Sequence, residues 1–323
     1  MDMSVLFEAL KALLIGVVEG ITEWLPISST GHMILVDEFV KLRVTDEFLK
    51  LFLVVIQIGA ILAVIILYFK KLNPFSRSKD EDERRGTWRL WGMVVVGCIP
   101  AAIVGFALDD WVSEHFYNAY VVSAMLVLYG IIFIVLERRN RRVRASIAER
   151  LGESGGTVRG RHARHAAPTR ALAPTDEQVD REMFEIVDVD EIDWKTALKI
   201  GLFQCLAIIP GTSRSGAIII GGMLMRCSRT AAAEFAFFLA IPVMLGWGLV
   251  KVVKYVVLGG LVMSATEVVV LVVGVVVAFA VSVVAIKFLM GYIKKNDFEA
   301  FGWYRIAVGV VVLGYFLAKA FLF

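Results

Sequence analysis

Long apolar runs separated by short polar stretches dominate the chain. Six of them suit membrane-spanning helices: Leu51–Phe69, Leu90–Leu108, Tyr117–Leu136, Thr230–Val250, Val268–Phe288 and Ile306–Phe323. Each has about the 17–25 residues that a 30 Å hydrocarbon core demands of a helix. Two further apolar regions are broken by polar turns. Their arms are Leu13–Leu25 with Met33–Val40, and Ala197–Ile209 with Ala217–Met225. At 1.5 Å per residue, an arm of about ten to thirteen residues crosses roughly half to two-thirds of the bilayer. A helix in, a polar turn at depth and a helix out, that is, a re-entrant hairpin, is the simplest reading.

The two polar interruptions resemble each other. IGVVEGITEWLPISSTGH runs from Ile15 to His32, and IGLFQCLAIIPGTSRSG from Ile200 to Gly216. Both open on Ile-Gly, place Glu19 or Gln204 three residues after that glycine, reach Pro26 or Pro210, and turn through hydroxyl and glycine residues. One residue of slippage before the proline is the only misfit. The order is then hairpin, three spans, long loop, hairpin, three spans. Three is odd, so the second half enters from the opposite face, which is the arrangement of an inverted-topology repeat. The expected fold is an all-α polytopic membrane protein with six transmembrane helices and two re-entrant helical hairpins. Residues 1–136 form the first repeat, 137–193 a hydrophilic insertion and 194–323 the second repeat.

Composition agrees: 58% of residues are hydrophobic and the mean hydropathy is +0.73, above the globular range. The net charge of +3 matters through its placement. Lys70, Lys71, Arg77, Arg84, Arg85, Arg89, the arginines after Glu137, Arg226, Arg229, Lys294 and Lys295 fall on one side. That side is expected to be cytoplasmic, so the first hairpin opens outward and the second inward. The insertion begins basic and ends acidic around a Gly-, Ala-, Thr- and Pro-rich middle, which reads as a partly disordered, solvated cytoplasmic linker. Cys98, Cys205 and Cys227 read as small buried hydrophobes without disulfides. His115, His162 and His165 lack partners at metal-ligand spacing. The N-terminus has no basic start or small-residue cleavage site and reads as part of the mature protein. No nucleic-acid partner is expected.

Glu19 and Glu23 are four apart and share a helical face. Two unpaired carboxylates at mid-depth would each cost about 2.5–3.5 kcal/mol. They are relieved either by ligating a hard divalent ion such as Mg²⁺ or Ca²⁺, or by one serving as a general base. The turn Ser28-Ser29-Thr30-Gly31-His32 leads into a helix start, where backbone N–H groups attract anions. Gly31 permits close approach and His32 can carry a proton. The second turn adds Arg214, whose planar fork matches phosphate oxygens, flanked by Gly211, Thr212, Ser213, Ser215 and Gly216. Carboxylates, hydroxyls, a histidine and an arginine at one locus describe phosphoryl transfer.

EGITEWLPISSTGH and PGTSRSG resemble the two signatures of the bacterial undecaprenyl pyrophosphate phosphatase family, known for bacitracin resistance. Val54–Tyr68 and Phe237–Gly248 are similar to further family segments, and the resemblance spans the chain apart from the insertion. It implies hydrolysis of a C55 isoprenoid diphosphate lipid to its monophosphate, in the bacterial inner (plasma) membrane with the site opening outward, to recycle the carrier for cell-wall synthesis. It also implies a divalent cation and functional positions at Glu19, Glu23, Ser29, His32, Ser213 and Arg214. The family's second signature commonly carries a Thr where this chain has Ile218, so Ile218→Thr is expected to leave activity equal or higher. Ser29, activated by Glu23 or His32, is one expected nucleophile; water is the other. The rival reading is a lipid-phosphate transporter or flippase using the same anion site. A homodimer is left open.

Overall fold

The structure, a computed structural model, describes residues 3–155 and 175–322. In chain order the helices are α1 (Met3–Thr22), α2 (Ser29–Phe39), α3 (Asp46–Leu67), the single turn α4 (Phe69–Leu72), α5 (Glu81–Phe116) and α6 (Ala119–Gly155), followed by α7 (Asp176–Met183), α8 (Trp194–Cys205), α9 (Arg214–Leu224), α10 (Arg229–Val252), α11 (Ala265–Ile293) and α12 (Glu299–Leu322). Among the described residues, α3, α5, α6, α10, α11 and α12 carry the segments long and apolar enough to cross a membrane. They coincide with the six expected spans, and the chain is a multi-pass membrane protein. Their starts are set by local chemistry. Thr45 and Ser228 cap α3 and α10 through their hydroxyls, while Asp80 with Glu83 and Ser264 with Glu267 form capping boxes on α5 and α11, satisfying orphan N–H groups.

Three lengths differ from expectation. Helix α1 has 20 residues, about 30 Å at the α-helical rise, not the short arm beginning at Leu13. Glu8 and Lys11 do not interrupt it, because their polar atoms are satisfied by each other at 2.8 Å and by the loop after α2. Lys11 donates to the Lys41 carbonyl at 2.8 Å and the Arg43 amide donates to Glu8 at 2.9 Å. Helix α2 starts at Ser29, before the expected Met33. Helix α6 continues past Leu136 to Gly155, so the insertion begins as helix. Its far end is folded too: α7 packs on α6 through Ile147, Val179, Met183 and Phe184, and Arg150 pairs with Glu182 at 2.5 Å. The middle of the insertion, with His162 and His165, lies outside the described residues.

Helices pack closely where glycines meet, as small residues allow in membrane bundles. A Cβ at Gly130 of α6 would fall 2.6 Å from the Gly302 carbonyl of α12, and one at Gly201 of α8 would fall 2.3 Å from that of Gly97 on α5. Helix α1 lies along α11, and α10 joins α9 to α3. The largest core gathers Trp24, Phe133, Phe235, Phe237 and Phe238 beneath the two polar turns. All three cysteines are free.

Candidate active site

Pro26 lacks an amide hydrogen and disfavours helical geometry in the residue before it, and α1 ends four residues earlier, at Thr22. The Glu23 amide still bonds to the Glu19 carbonyl at 3.0 Å, so both carboxylates keep one face. The chain then turns to Ser28, whose φ of 72° and ψ of 101° are unusual for a residue with a side chain; its hydroxyl caps α2 by accepting from the Gly31 amide. Ser213 repeats this at α9, with φ 71°, ψ 119° and a bond from the Gly216 amide. Such backbone costs on the order of 1–3 kcal/mol and persists where surrounding contacts enforce it. Two helix N-termini, each with the N–H groups that favour anions, thereby converge on one cavity.

That cavity encloses about 220 Å³. Glu23, Ser28, Ser29, Thr30, Ser213 and Arg214 all line it, with Gly211 beside them. Glu23 links the two halves: Arg214 Nη2 donates to its Oε1 at 2.9 Å, Ser29 Oγ donates to its Oε2 at 3.0 Å, and Ser215 Oγ donates to its backbone carbonyl at 3.3 Å. Ser213 and Ser215 hydroxyls lie 3.2 Å apart. Arg214 keeps Nε and Nη1 buried without hydrogen-bond partners, and Glu19, behind Glu23, does the same with Oε1. Unsatisfied buried groups of this kind are costly. Those on Arg214 suit an anion, and that on Glu19 suits a cation or proton.

Of the other expected residues, Gly211 lies at the cavity and the rest do not line it. His32 Nδ1 lies 2.8 Å from the Ser28 carbonyl, which can only accept, so Nδ1 carries the proton. Its Nε2 faces the Tyr304 hydroxyl at 2.8 Å, and the rings stack. His32 therefore makes no hydrogen bond to Ser29. A Cβ on Gly31 would meet Leu126 at 2.9 Å, so this glycine admits a neighbouring helix. Gly211 has φ of +92° and abuts the Val122 carbonyl, where only glycine fits. Thr212, Ser215 and Gly216 lie behind the cavity wall. Ile218 is fully buried in the main core and does not line the cavity, so a threonine there has no cavity to serve. Among the described residues, no group of three His, Cys, Asp or Glu forms a metal cluster; the available donors are the oxygens of Glu19 and Glu23.

Arg305 was not foreseen. It is fully buried on α12 and ties both turns together, donating to the Pro26 carbonyl at 3.1 Å and to those of Gly211 and Thr212 at 2.8 and 2.9 Å. Its guanidinium lies 5.5 Å from the centroid of the Tyr129 ring. The signal was an arginine directly before the run from Ile306, which reads as a span boundary when only apolar length is counted. Gln57 of α3 was likewise unmarked, yet it lines the cavity.

Comparison with known proteins agrees with this geometry. The family model described as Bacitracin resistance protein BacA matches residues 12–311. An undecaprenyl-diphosphatase from Enterococcus faecalis is 47% identical over 95% of this chain and 97% of its own length. One from Desulfitobacterium hafniense is 48% identical over 97% and 98%, and one from Lactiplantibacillus plantarum 47% identical over 96% and 98%. With the family model covering nearly the whole chain and the paired polar turns meeting in one cavity, this protein belongs to the bacitracin resistance protein BacA family.

Proposed function

We propose that this protein is an integral membrane phosphatase that hydrolyses undecaprenyl diphosphate to undecaprenyl phosphate and inorganic phosphate. The observation that carries the reading is Glu23, held between the Arg214 guanidinium and the Ser29 hydroxyl. The relatives' name supplies the substrate. The terminal phosphate is placed at the N-termini of α2 and α9, with Arg214 donating Nε and Nη1 to its oxygens and keeping Nη2 on Glu23. Thr30 and Ser213 hydroxyls add donors. Glu23 takes the Ser29 proton as Oγ attacks the terminal phosphorus. The Ser29–phosphorus bond forms, the bridging phosphorus–oxygen bond breaks, and the lipid monophosphate leaves with the proton that Glu23 hands to its oxygen. Water then attacks the phosphoserine, the freed Glu23 carboxylate takes a proton from that water and returns it to Ser29 Oγ as the serine–phosphorus bond breaks and phosphate departs. Glu23 is favoured over His32 as the base because Ser29 points to it.

A divalent cation, Mg²⁺ or Ca²⁺, fits the orphaned Glu19 oxygen, since such ions take carboxylate oxygens and complete their shell with water and phosphate. Glu19 and Glu23 would hold it, and its chemistry there is neutralisation of phosphate charge. We read α8–α9 as a re-entrant hairpin and the second half of α1 with α2 as its counterpart in an inverted repeat, α1 being extended beyond the hairpin through Glu8 and Lys11, and the matching serine caps support this reading. The membrane is the bacterial plasma membrane, with the basic helix ends cytoplasmic and the site opening outward.

The test is phosphate release from C55 diphosphate by the purified protein, with and without chelator. Glu23→Gln is expected to lower kcat about 10²–10⁴-fold, as for loss of a general base. Arg214→Ala is expected to cost about 10²–10³-fold, as for loss of a preorganised donor. A trapped phosphoserine at Ser29 supports covalent attack, while a Ser29→Ala variant with near-normal turnover assigns attack to water. Movement of lipid across vesicles without phosphate release would overturn the hydrolase in favour of a transporter.

A further inference from the structure

The cavity of the polar site shares a wall with a second, apolar cavity of about 410 Å³. Val243 and Trp247 of α10 line both. From there the second cavity runs as a groove between α5 and α10, floored by Ala101, Ala102, Gly105 and Gly246 and containing no charged side chain. Phe106 and Val250 at its rim are exposed on the outside of the bundle, so the groove opens sideways, toward the bilayer.

We propose that this groove binds the first isoprene units of the lipid substrate and makes the enzyme prefer longer isoprenyl chains over a five-carbon one. The proposal rests on the phosphatase reading above and deepens it. The polar cavity, at about 220 Å³, is smaller than the roughly 300–1,000 Å³ of a complete small-molecule site, so it holds a diphosphate and little else. The chain begins at the diphosphate oxygen and must leave through a wall, and the wall shared at Val243 and Trp247 leads into an apolar channel. Its small residues leave width for a chain carrying methyl branches. A Cβ added at Gly105 or Gly246 would meet no atom within 4 Å, so that space is open groove. Later units of a C55 chain pass the rim into the lipid, so selectivity resides in the first few.

That open space makes the test clean, because a larger side chain fills the groove without displacing protein. Gly105→Leu and Gly246→Leu are compared with Gly92→Leu, another α5 glycine with nothing within 4 Å of an added Cβ and no part in either cavity. The purified proteins are assayed on five-carbon, fifteen-carbon and C55 isoprenyl diphosphates. The readout is the ratio of kcat/KM for the fifteen-carbon substrate to that for the five-carbon one, which is insensitive to the fraction of folded enzyme. We expect Gly105→Leu and Gly246→Leu to lower this ratio about tenfold or more, the effect of losing roughly two buried methylenes. Gly92→Leu is expected to keep the wild-type ratio, and C55 turnover to follow the fifteen-carbon result. An unchanged ratio in both groove variants overturns the proposal and assigns the groove to ordinary membrane lipid. An equal fall in Gly92→Leu also overturns it. Failure of the wild-type protein to hydrolyse any of the three would instead refute the phosphatase reading itself.

Discussion

A buried guanidinium usually answers a carboxylate, yet Arg305 answers three backbone carbonyls from two turns far apart in sequence. Its work is positional: it sets where Pro26, Gly211 and Thr212 stop, and so where Ser29 and Arg214 begin. Arg305→Ala leaves those carbonyls without their partner, at about 1–3 kcal/mol each. A lower thermal midpoint together with nearly complete loss of phosphate release is therefore expected. Arg305→Lys, a single ammonium that cannot bridge both turns as the fork does, should recover stability more than activity. Equal recovery of both would argue against positioning. The residues themselves were legible where chemistry was dense. Glu23, Ser29 and Arg214 stand out in apolar sequence, and they meet. Arg305 was hidden because it borders an apolar run, and the partner of His32 because Tyr304 lies 272 positions away. For Ile218→Thr, the buried position narrows the expectation of equal or higher activity, because a threonine is not an isosteric replacement in a packed core. Turnover is expected to show no gain and the melting temperature to fall; a rise in activity would show that the hydroxyl reaches phosphate.

Helices α2 and α9 each start at a serine held at φ near +70°. Glycine adopts such angles freely, and replacing a serine cap by glycine costs only a few tenths of a kcal/mol. Ser28→Gly and Ser213→Gly should then each raise stability, by up to the roughly 1–3 kcal/mol stored in the strained backbone, while lowering phosphate release. Thermal unfolding beside the activity assay checks both signs, and a destabilised variant would mean that the serines hold more than their own caps. The spans were legible from hydropathy and length, because a bilayer leaves an apolar chain few choices. The starts of α1 and α2 were not, because charges read as ends. Glu8 and Lys11 are absorbed by loop partners, and α2 begins directly after its Ser28 cap, four residues before the apolar run.

On the scale of the molecule, one clamp lies at the basic ends of the helices. Glu137 of α6 is fully buried, accepts two bonds from Arg229 of α10 at 2.8 and 2.6 Å, and accepts the Phe298 amide before α12 at 3.0 Å. Removing one member, as in Arg229→Met, leaves a buried charge and is expected to cost about 3–5 kcal/mol, with Glu137→Gln in the same chain recovering part of the loss. Denaturation of the two variants in detergent measures it; equal stability of both would show that the charges are solvated. The acid and the guanidinium of the site come from opposite halves of the chain, Glu23 before the insertion and Arg214 after it. On the proposed reading of the site, neither half alone holds all of its groups. A gene split between the codons for Gly155 and Thr175 should give two silent fragments that regain phosphatase activity by complementation when co-expressed in one membrane.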